Sequence, residues 1–331
     1  MKIKEVKTDS KNSTDLSIIV IYYNMQREIL RTIHSLLSPY QLGVENKNIE
    51  IIVIDNGSEH EPDFGEYKDK IKYVKYNPIN KSPVDAINYG INIASSDLVG
   101  VLIDGARMSS PGLCKNVLSA SYENERAIIT TIACHIGPIV QMQSVFKGYD
   151  KNLEDDLLDA IDWKNNGYHL FLISCLAGSS KNGLLGQNAE SNAIFMSKEL
   201  WAETGGYDPL FVTAGGGFVN LDLKKRLGNF ENAHFIRLTN EATFHQVHGG
   251  IATNQKKGAN GNTFRDEYIN IRGEMFRPSK KIEALYGEIN SMAKYFYFRD
   301  SENDVNFDKY NAIRTKLNCL LKSKTDGLQF Q

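Results

Sequence analysis

The chain has 331 residues, 41% of them hydrophobic, with 38 basic against 40 acidic side chains and a formal charge of −2 at pH 7. Near balance excludes a dedicated nucleic-acid binder, which carries a basic face. The four cysteines, Cys114, Cys134, Cys175 and Cys319, are scattered with no CxxC, which excludes a zinc knuckle or a disulfide framework and fits a reducing cytoplasm. The polar stretch Met1–Lys11 lacks the apolar core of a secretory signal. No apolar run approaches the roughly 20 residues of a membrane span. The expected location is cytoplasmic, with peripheral contact at the inner face of a membrane left open. The length suits one large domain with an appendage, or two domains.

Leu16–Ile21 reads as a buried strand ending in Tyr22-Tyr23-Asn24. A helix follows from about Gln26 to Leu37, with Ile29, Leu30, Ile33, Leu36 and Leu37 on one face. Asn24 is its expected N-cap, and Ser38-Pro39 stops it. Ile49–Ile54 is a second buried strand, ending in Asp55-Asn56-Gly57-Ser58; a strand–helix–strand order calls for a parallel pair with a right-handed crossover. Lys72–Tyr76 is a third, shorter strand. Ser82-Pro83 opens a helix with Pro at its first position. Leu98–Ile103 is an apolar run that ends abruptly at Asp104. In open α/β sheets the carboxyl ends of strands are where ligands sit. Ser110-Pro111 opens the next helix and Ala127–Ile132 is a fifth strand. Such alternation means an α/β architecture.

Downstream, Leu153–Trp163 reads as a helix whose acidic residues Glu154, Asp155, Asp156, Asp159 and Asp162 form a solvated face. Gly178–Gly186 reads as a mobile loop. Asn192–Ser197 is a strand and Lys198–Thr204 a short helix closed by Gly205-Gly206. Gly215-Gly216-Gly217 precedes a helix at about Asn220–Leu227. Ala233–Leu238 is the last core strand, with Thr243–Gly250 beyond it, and Gly249–Gly261 is the expected linker or lid. From Lys280 two amphipathic helices are expected, one marked by Ile282, Leu285, Ile289, Met292 and Phe296, the other by Tyr310, Ile313, Leu317 and Leu320.

Four features stand in order: Ile21-Tyr22-Tyr23-Asn24; Ile54-Asp55-Asn56-Gly57-Ser58; Asn80-Lys81-Ser82 leading into Ala86-Ile87-Asn88-Tyr89-Gly90; and Leu102-Ile103-Asp104-Gly105-Ala106. Gly205-Gly206-Tyr207-Asp208 and Asp222-Leu223-Lys224-Lys225-Arg226-Leu227 follow. In order and spacing this resembles the GT-A glycosyltransferases of family 2, with their P-x-Y-N, I-D-D/N-G-S, l-D-x-D, G-G-F/Y-D and E-D-x-D-L patterns. The resemblance covers roughly Leu16 to Gly250. It implies an α/β GT-A nucleotide-diphospho-sugar transferase fold, a mostly parallel central sheet flanked by helices. The expected division is a flexible N-terminus over 1–14, the GT-A domain over 15–270 and a C-terminal helical extension over 271–331.

The resemblance implies transfer of a sugar from a nucleoside-diphosphate donor, a UDP-sugar first, to a glycan, lipid-linked or protein acceptor, with inversion. Asp55 can accept a nucleobase N–H, or else close a turn before Gly57. Tyr22 or Tyr23 can wall the base, or else pack in the strand. Lys81 can meet a phosphate. Asp104 would hold a divalent cation, Mg²⁺ or Mn²⁺, which suits hard oxygen ligands. Two positions depart from the pattern. The second metal-site carboxylate falls at Ala106. The family's general base falls at Asn220, preceded by Val219, and an amide is no base. His245 and His248 could complete a metal site. Asp222 could replace the base, although its helical spacing turns it away from Asn220. Glu190 and Asp208 are further carboxylates on the expected acceptor side, and Trp201 could stack on a sugar or lie in the core. The alternative from another class is a non-catalytic sugar-nucleotide or glycan-binding module that keeps the frame.

Overall fold

Apolar runs form the strands and amphipathic repeats form the helices laid on them. In the computed structural model, which describes residues 13–190, 192–249, 261–298 and 308–330, the first half runs β1 (Leu16–Tyr22), α1 (Gln26–Leu36), β2 (Ile49–Asn56), β3 (Lys72–Tyr76), α2 (Val84–Ile93), β4 (Leu98–Leu102), β5 (Arg107–Ser109), α3 (Leu113–Ser121) and β6 (Ala127–Ile136). It continues with α4 (Gln141–Ser144), α5 (Lys151–Ala160), β7 (Ser174–Leu176), β8 (Ala193–Ser197), α6 (Lys198–Glu203), α7 (Val219–Gly228) and β9 (His234–His245). The last elements are α8 (Gly261–Arg272), β10 (Ala284–Tyr286), α9 (Ser291–Phe298) and α10 (Asp308–Lys324).

One sheet runs in the order β10-β9-β6-β8-β4-β1-β2-β3, with β5 on β9 and β7 on β6. β1, β2, β3 and β4 are parallel, as are β6, β9 and β10. β8 lies antiparallel between β4 and β6, so both parallel groups point their carboxyl ends to one edge. Alternation along β1 separates the layers, since successive side chains point to opposite faces. Ile18 and Val20 pack with Ile29, Ile33 and Leu36 of α1 and Val117 of α3. Ile19 and Ile21 pack with Ile87 and Ile91 of α2, Trp201 of α6 and Leu223 of α7. A third cluster joins Ile132 and Ile136 of β6 to Leu157 of α5, Met292 of α9 and Leu317 and Leu321 of α10. The C-terminal helices are therefore built into the core.

Several expectations change. Ile282 and Leu285 do not belong to a helix: Ile282 is 87% exposed and Leu285 lies in β10. Glu283 between them is drawn into a buried cluster with Lys224 (2.6 Å) and Arg237 (2.9 Å), and Ala284 pairs with Ile236 on β9. Those tertiary contacts override the helical spacing. Asn24 does not cap α1. It takes a left-handed backbone, φ 50°, and its Oδ1 accepts from Glu59 N. Trp201 is core: its Nε1–H donates to Val99 O and its ring stacks on Tyr207. The acidic face of α5 is not simply solvated, because Glu154 is fully buried and Asp155 binds Arg27 and Arg31. α8 runs across the expected domain boundary at 270/271, and Arg272 at its end is tied back to Asp208 and Asp222. Residues 1–12 of the expected flexible N-terminus, and 250–260 of the expected lid, lie outside the described residues.

Candidate active site

Strand register assembles the site. Tyr22 is paired with Asp55 across β1 and β2, and Val20 with Leu102 across β1 and β4. Asp104, two residues beyond Leu102, therefore stands level with Tyr22 and Asp55 at the carboxyl edge. On the other parallel group, Arg107 pairs with His245 across β5 and β9, and His245 with His135 across β9 and β6. β9 thus extends through His245, beyond the strand end read from the sequence at Leu238. Small residues after Asp104 are required by space: a Cβ on Gly105 would stand 3.2 Å from the Ile21 carbonyl oxygen.

Asp104 is held from two sides. Its Oδ1 accepts from Ala106 N at 3.0 Å and its Oδ2 from Arg107 Nε at 3.0 Å. The Oδ2 is 3.8 Å from His245 Nε2. Gln141 sets the tautomer of that ring. Its Nε2 donates to the His245 carbonyl at 2.9 Å, which leaves its Oε1 to accept from His245 Nδ1–H at 2.6 Å. The neutral ring then carries its lone pair on Nε2. His248 Nε2 lies 3.2 Å from that atom, a gap that one proton or one cation bridges. Burial lowers both imidazoles below their usual value, with Arg107 adding to the effect, so both are neutral at neutral pH. His135 is pushed down to about 3 by burial and by Arg107, and its Nδ1 accepts from Gln141 N.

Neutral imidazoles beside a carboxylate are the donors that Mn²⁺-like ions take, so Asp104, His245 and His248 suit a divalent ion in kind. Among the described residues, though, no three His, Cys, Asp or Glu side chains close into a preformed metal cage.

The remaining expected residues separate. Tyr22 is buried in the core, whereas Tyr23 is half exposed. Asp55 is fully buried and accepts from Ser58 N and from the Tyr73 hydroxyl, each at 2.8 Å. In this arrangement it closes the turn before Gly57. Lys81 is exposed and makes no ion pair among the described residues. Asp222 is buried and both its oxygens are occupied, by Arg226 Nε at 2.8 Å and by Arg272 at 2.7 Å. It is an anchor between α7 and α8, not a free base. Asn220 lies in the first turn of α7, with its buried Oδ1 unpartnered.

Sequence reasoning missed Arg107, His135, Gln141 and Glu28. Arg107 carried a signal, a cation three residues after a strand-ending aspartate. His135 lay beyond the strand end read at Ile132. Gln141 and Glu28 carried none. Glu28 opens α1, is fully buried, and binds Arg27 at 2.8 Å and Lys151 at 3.1 Å. Glu154 completes that network: it binds Arg27 at 3.1 Å and accepts from Val247 N at 2.9 Å, beside His248.

The mixed α/β sheet flanked by helices, with its polar cluster at the carboxyl edge of the parallel strands, is the arrangement that the GT-A resemblance implies. Residues 17–172 match the family described as "Glycosyl transferase family 2". No curated protein matches the chain. Among solved structures, S. aureus TarS is similar over 71% of this chain at 12% identity and a TM-score of 0.45; the chain spans 37% of that protein's length. TarS 1-349 in complex with UDP is similar over 93% of this chain and 72% of that one, at 11% identity and a TM-score of 0.47. Among the described residues no helix is long and apolar enough to cross a membrane.

Proposed function

We propose that the chain transfers a sugar from a nucleoside-diphosphate sugar, a UDP-sugar first, to a hydroxyl of a glycan, lipid-linked or protein acceptor. The match of residues 17–172 to glycosyl transferase family 2 supports the reaction class. The observation that carries the reading is the carboxyl-edge cluster of Asp104, Arg107, His245 and His248 at the ends of converging parallel strands.

In this reading the nucleotide lies across the ends of β1, β2 and β4. Tyr23 offers an exposed ring to the base, and Lys81 an exposed ammonium to a phosphate. Asp104, His245 and His248 would hold Mn²⁺ or Mg²⁺, with diphosphate oxygens filling the shell that the protein leaves open. A bound ion would supply Lewis-acid stabilisation to the departing diphosphate. Arg107, buried and aimed along Asp104, fixes the carboxylate and adds positive charge where the leaving group gathers electrons. Gln141 keeps the His245 Nε2 lone pair pointed into the site. The transfer is taken to invert the anomeric centre, as the resemblance implies.

The test is a screen of UDP-, GDP- and dTDP-sugars with and without Mn²⁺, read as nucleotide released. Metal-dependent release from at least one donor is expected. Binding of a donor with release at background in every case would favour the non-catalytic module, the reading suggested by Ala106 and Asn220.

A further inference from the structure

The frame position for a base holds Asn220, and the carboxylate on the same helix, Asp222, is consumed by two arginines. Another carboxylate stands in the crevice. Leu102 of β4 pairs with Ala193 of β8 in antiparallel register. Asp104 lies two residues past Leu102, and Glu190 three residues before Ala193. The register therefore carries Glu190 to the carboxyl edge, alongside the Asp104 turn. The segment before it is tied to the Ser179 turn, where Ala189 N donates to Ser179 O at 3.1 Å. Arg107, Lys224 and Asp104 are the charged groups that act on Glu190. Lys224 is one helical turn from Asn220, on the same face.

Its surroundings are short of donors. The Oδ1 atoms of Asn188, Asn192 and Asn220 and the hydroxyl of Tyr207 are buried without a hydrogen-bond partner. Asn188 is 5% exposed, Asn192 3% and Tyr207 0%. Asn188 and Asn192 flank Glu190 in sequence, and Tyr207 lies within its electrostatic reach. Unsatisfied buried acceptors are rare and costly in native proteins. These acceptors are closed to solvent as well as unpartnered, so a ligand reaches none of them in this arrangement.

We infer that Glu190 is the general base that receives the acceptor's proton. The inference rests on the transferase reading. The Glu190 carboxylate takes the proton of the attacking hydroxyl. That oxygen bonds to the anomeric carbon, and the bond from the anomeric carbon to the phosphate oxygen breaks. The electron pair leaves with the nucleoside diphosphate. Burial raises the Glu190 carboxyl, against the pull of Arg107, Ser179 and Lys224, which moves its basicity toward that of a working base.

The experiment compares wild type, Glu190→Gln and Glu190→Asp, with the donor that wild type turns over. It reads kcat, its pH profile and, by calorimetry, UDP affinity. In Glu190→Gln, kcat should fall at least 100-fold, the size of general-base assistance, with UDP affinity within twofold of wild type. The acidic limb of the kcat profile should vanish in Glu190→Gln and persist, shifted, in a partly active Glu190→Asp. A Glu190→Gln enzyme within threefold of wild type overturns the inference alone. A fall in kcat matched by an equal fall in UDP affinity overturns it in favour of donor binding. Wild type that releases no nucleotide from any donor overturns the transferase reading, and this inference with it.

Discussion

Three imidazoles share one buried corner, and their protonation is set by burial and by Arg107. The unfolded chain protonates each near pH 6.5, while the folded chain resists; His135 is held down to about 3. As pH falls below 6.5 the unfolded state binds more protons, so stability is full above that pH and is lost toward 3. Glu154, pushed up to about 7 by burial, acts in the opposite sense, so the informative quantity is a difference between variants. His135→Asn keeps an acceptor for Gln141 N and removes the titration. Urea unfolding at pH 7.5 and 5.0 should show a smaller loss for His135→Asn than for wild type, by about 1–2 kcal/mol at roughly 1.4 kcal/mol per pKa unit. Equal losses would mean that His135 titrates normally. Asp222→Ala should cost about 1.5–3 kcal/mol, the loss of hydrogen bonds to charged partners, and chevron or urea data would show it. The low end is favoured, because Arg226 and Arg272 are about a quarter exposed. Unchanged stability would return Asp222 to consideration as a free carboxylate. Residue types at strand ends were legible: Asp104, His245 and His248 could be named from sequence. Their partners were not. Nothing local tells that Arg107 folds back on Asp104, that Gln141 clamps His245, or that Tyr73 occupies Asp55.

Longer elements were legible because an apolar run or a helical stripe declares itself over five residues or more. β1, β2, β4 and the helices between them follow that rule. The three-residue strands β5, β7 and β10 do not, since pairing partners far along the chain make them. β10 shows the mechanism: a buried ion cluster around Glu283 fixes an extended segment inside a pattern that reads as helix. α10 kept its stripe. Leu317 and Leu321 face α5 and the turn at 167–173, and Arg314 Nε donates to Leu172 O at 3.2 Å. Leu321, fully buried, should cost about 2–5 kcal/mol when cut to alanine. Thermal or urea unfolding of Leu321→Ala checks this; a loss under 0.5 kcal/mol would mean that α10 sits loosely on the domain.

At the scale of the molecule, two groups of parallel strands meet at one edge because β8 reverses direction between them. That reversal brings Asp104 and Arg107 from one side against His245 and His248 from the other, and sets Glu190 beside them. The fold class was readable from alternation and motif order; the crevice's chemistry was not, because its parts come from segments far apart in the chain. The account stands on a cation and a nucleoside diphosphate sharing that edge. Binding linkage is reciprocal, so whatever factor the metal adds to nucleotide affinity the nucleotide adds to metal affinity. The direct measurement is calorimetric titration of UDP into wild type and Asp104→Asn at several fixed Mn²⁺ concentrations, at pH 7.5. Wild-type affinity should rise at least tenfold with Mn²⁺, about 1.4 kcal/mol, and most of that gain should disappear in Asp104→Asn. Affinity that is independent of Mn²⁺, or identical coupling in the two proteins, would contradict the assignment of Asp104 and the His245–His248 pair to a metal–diphosphate site.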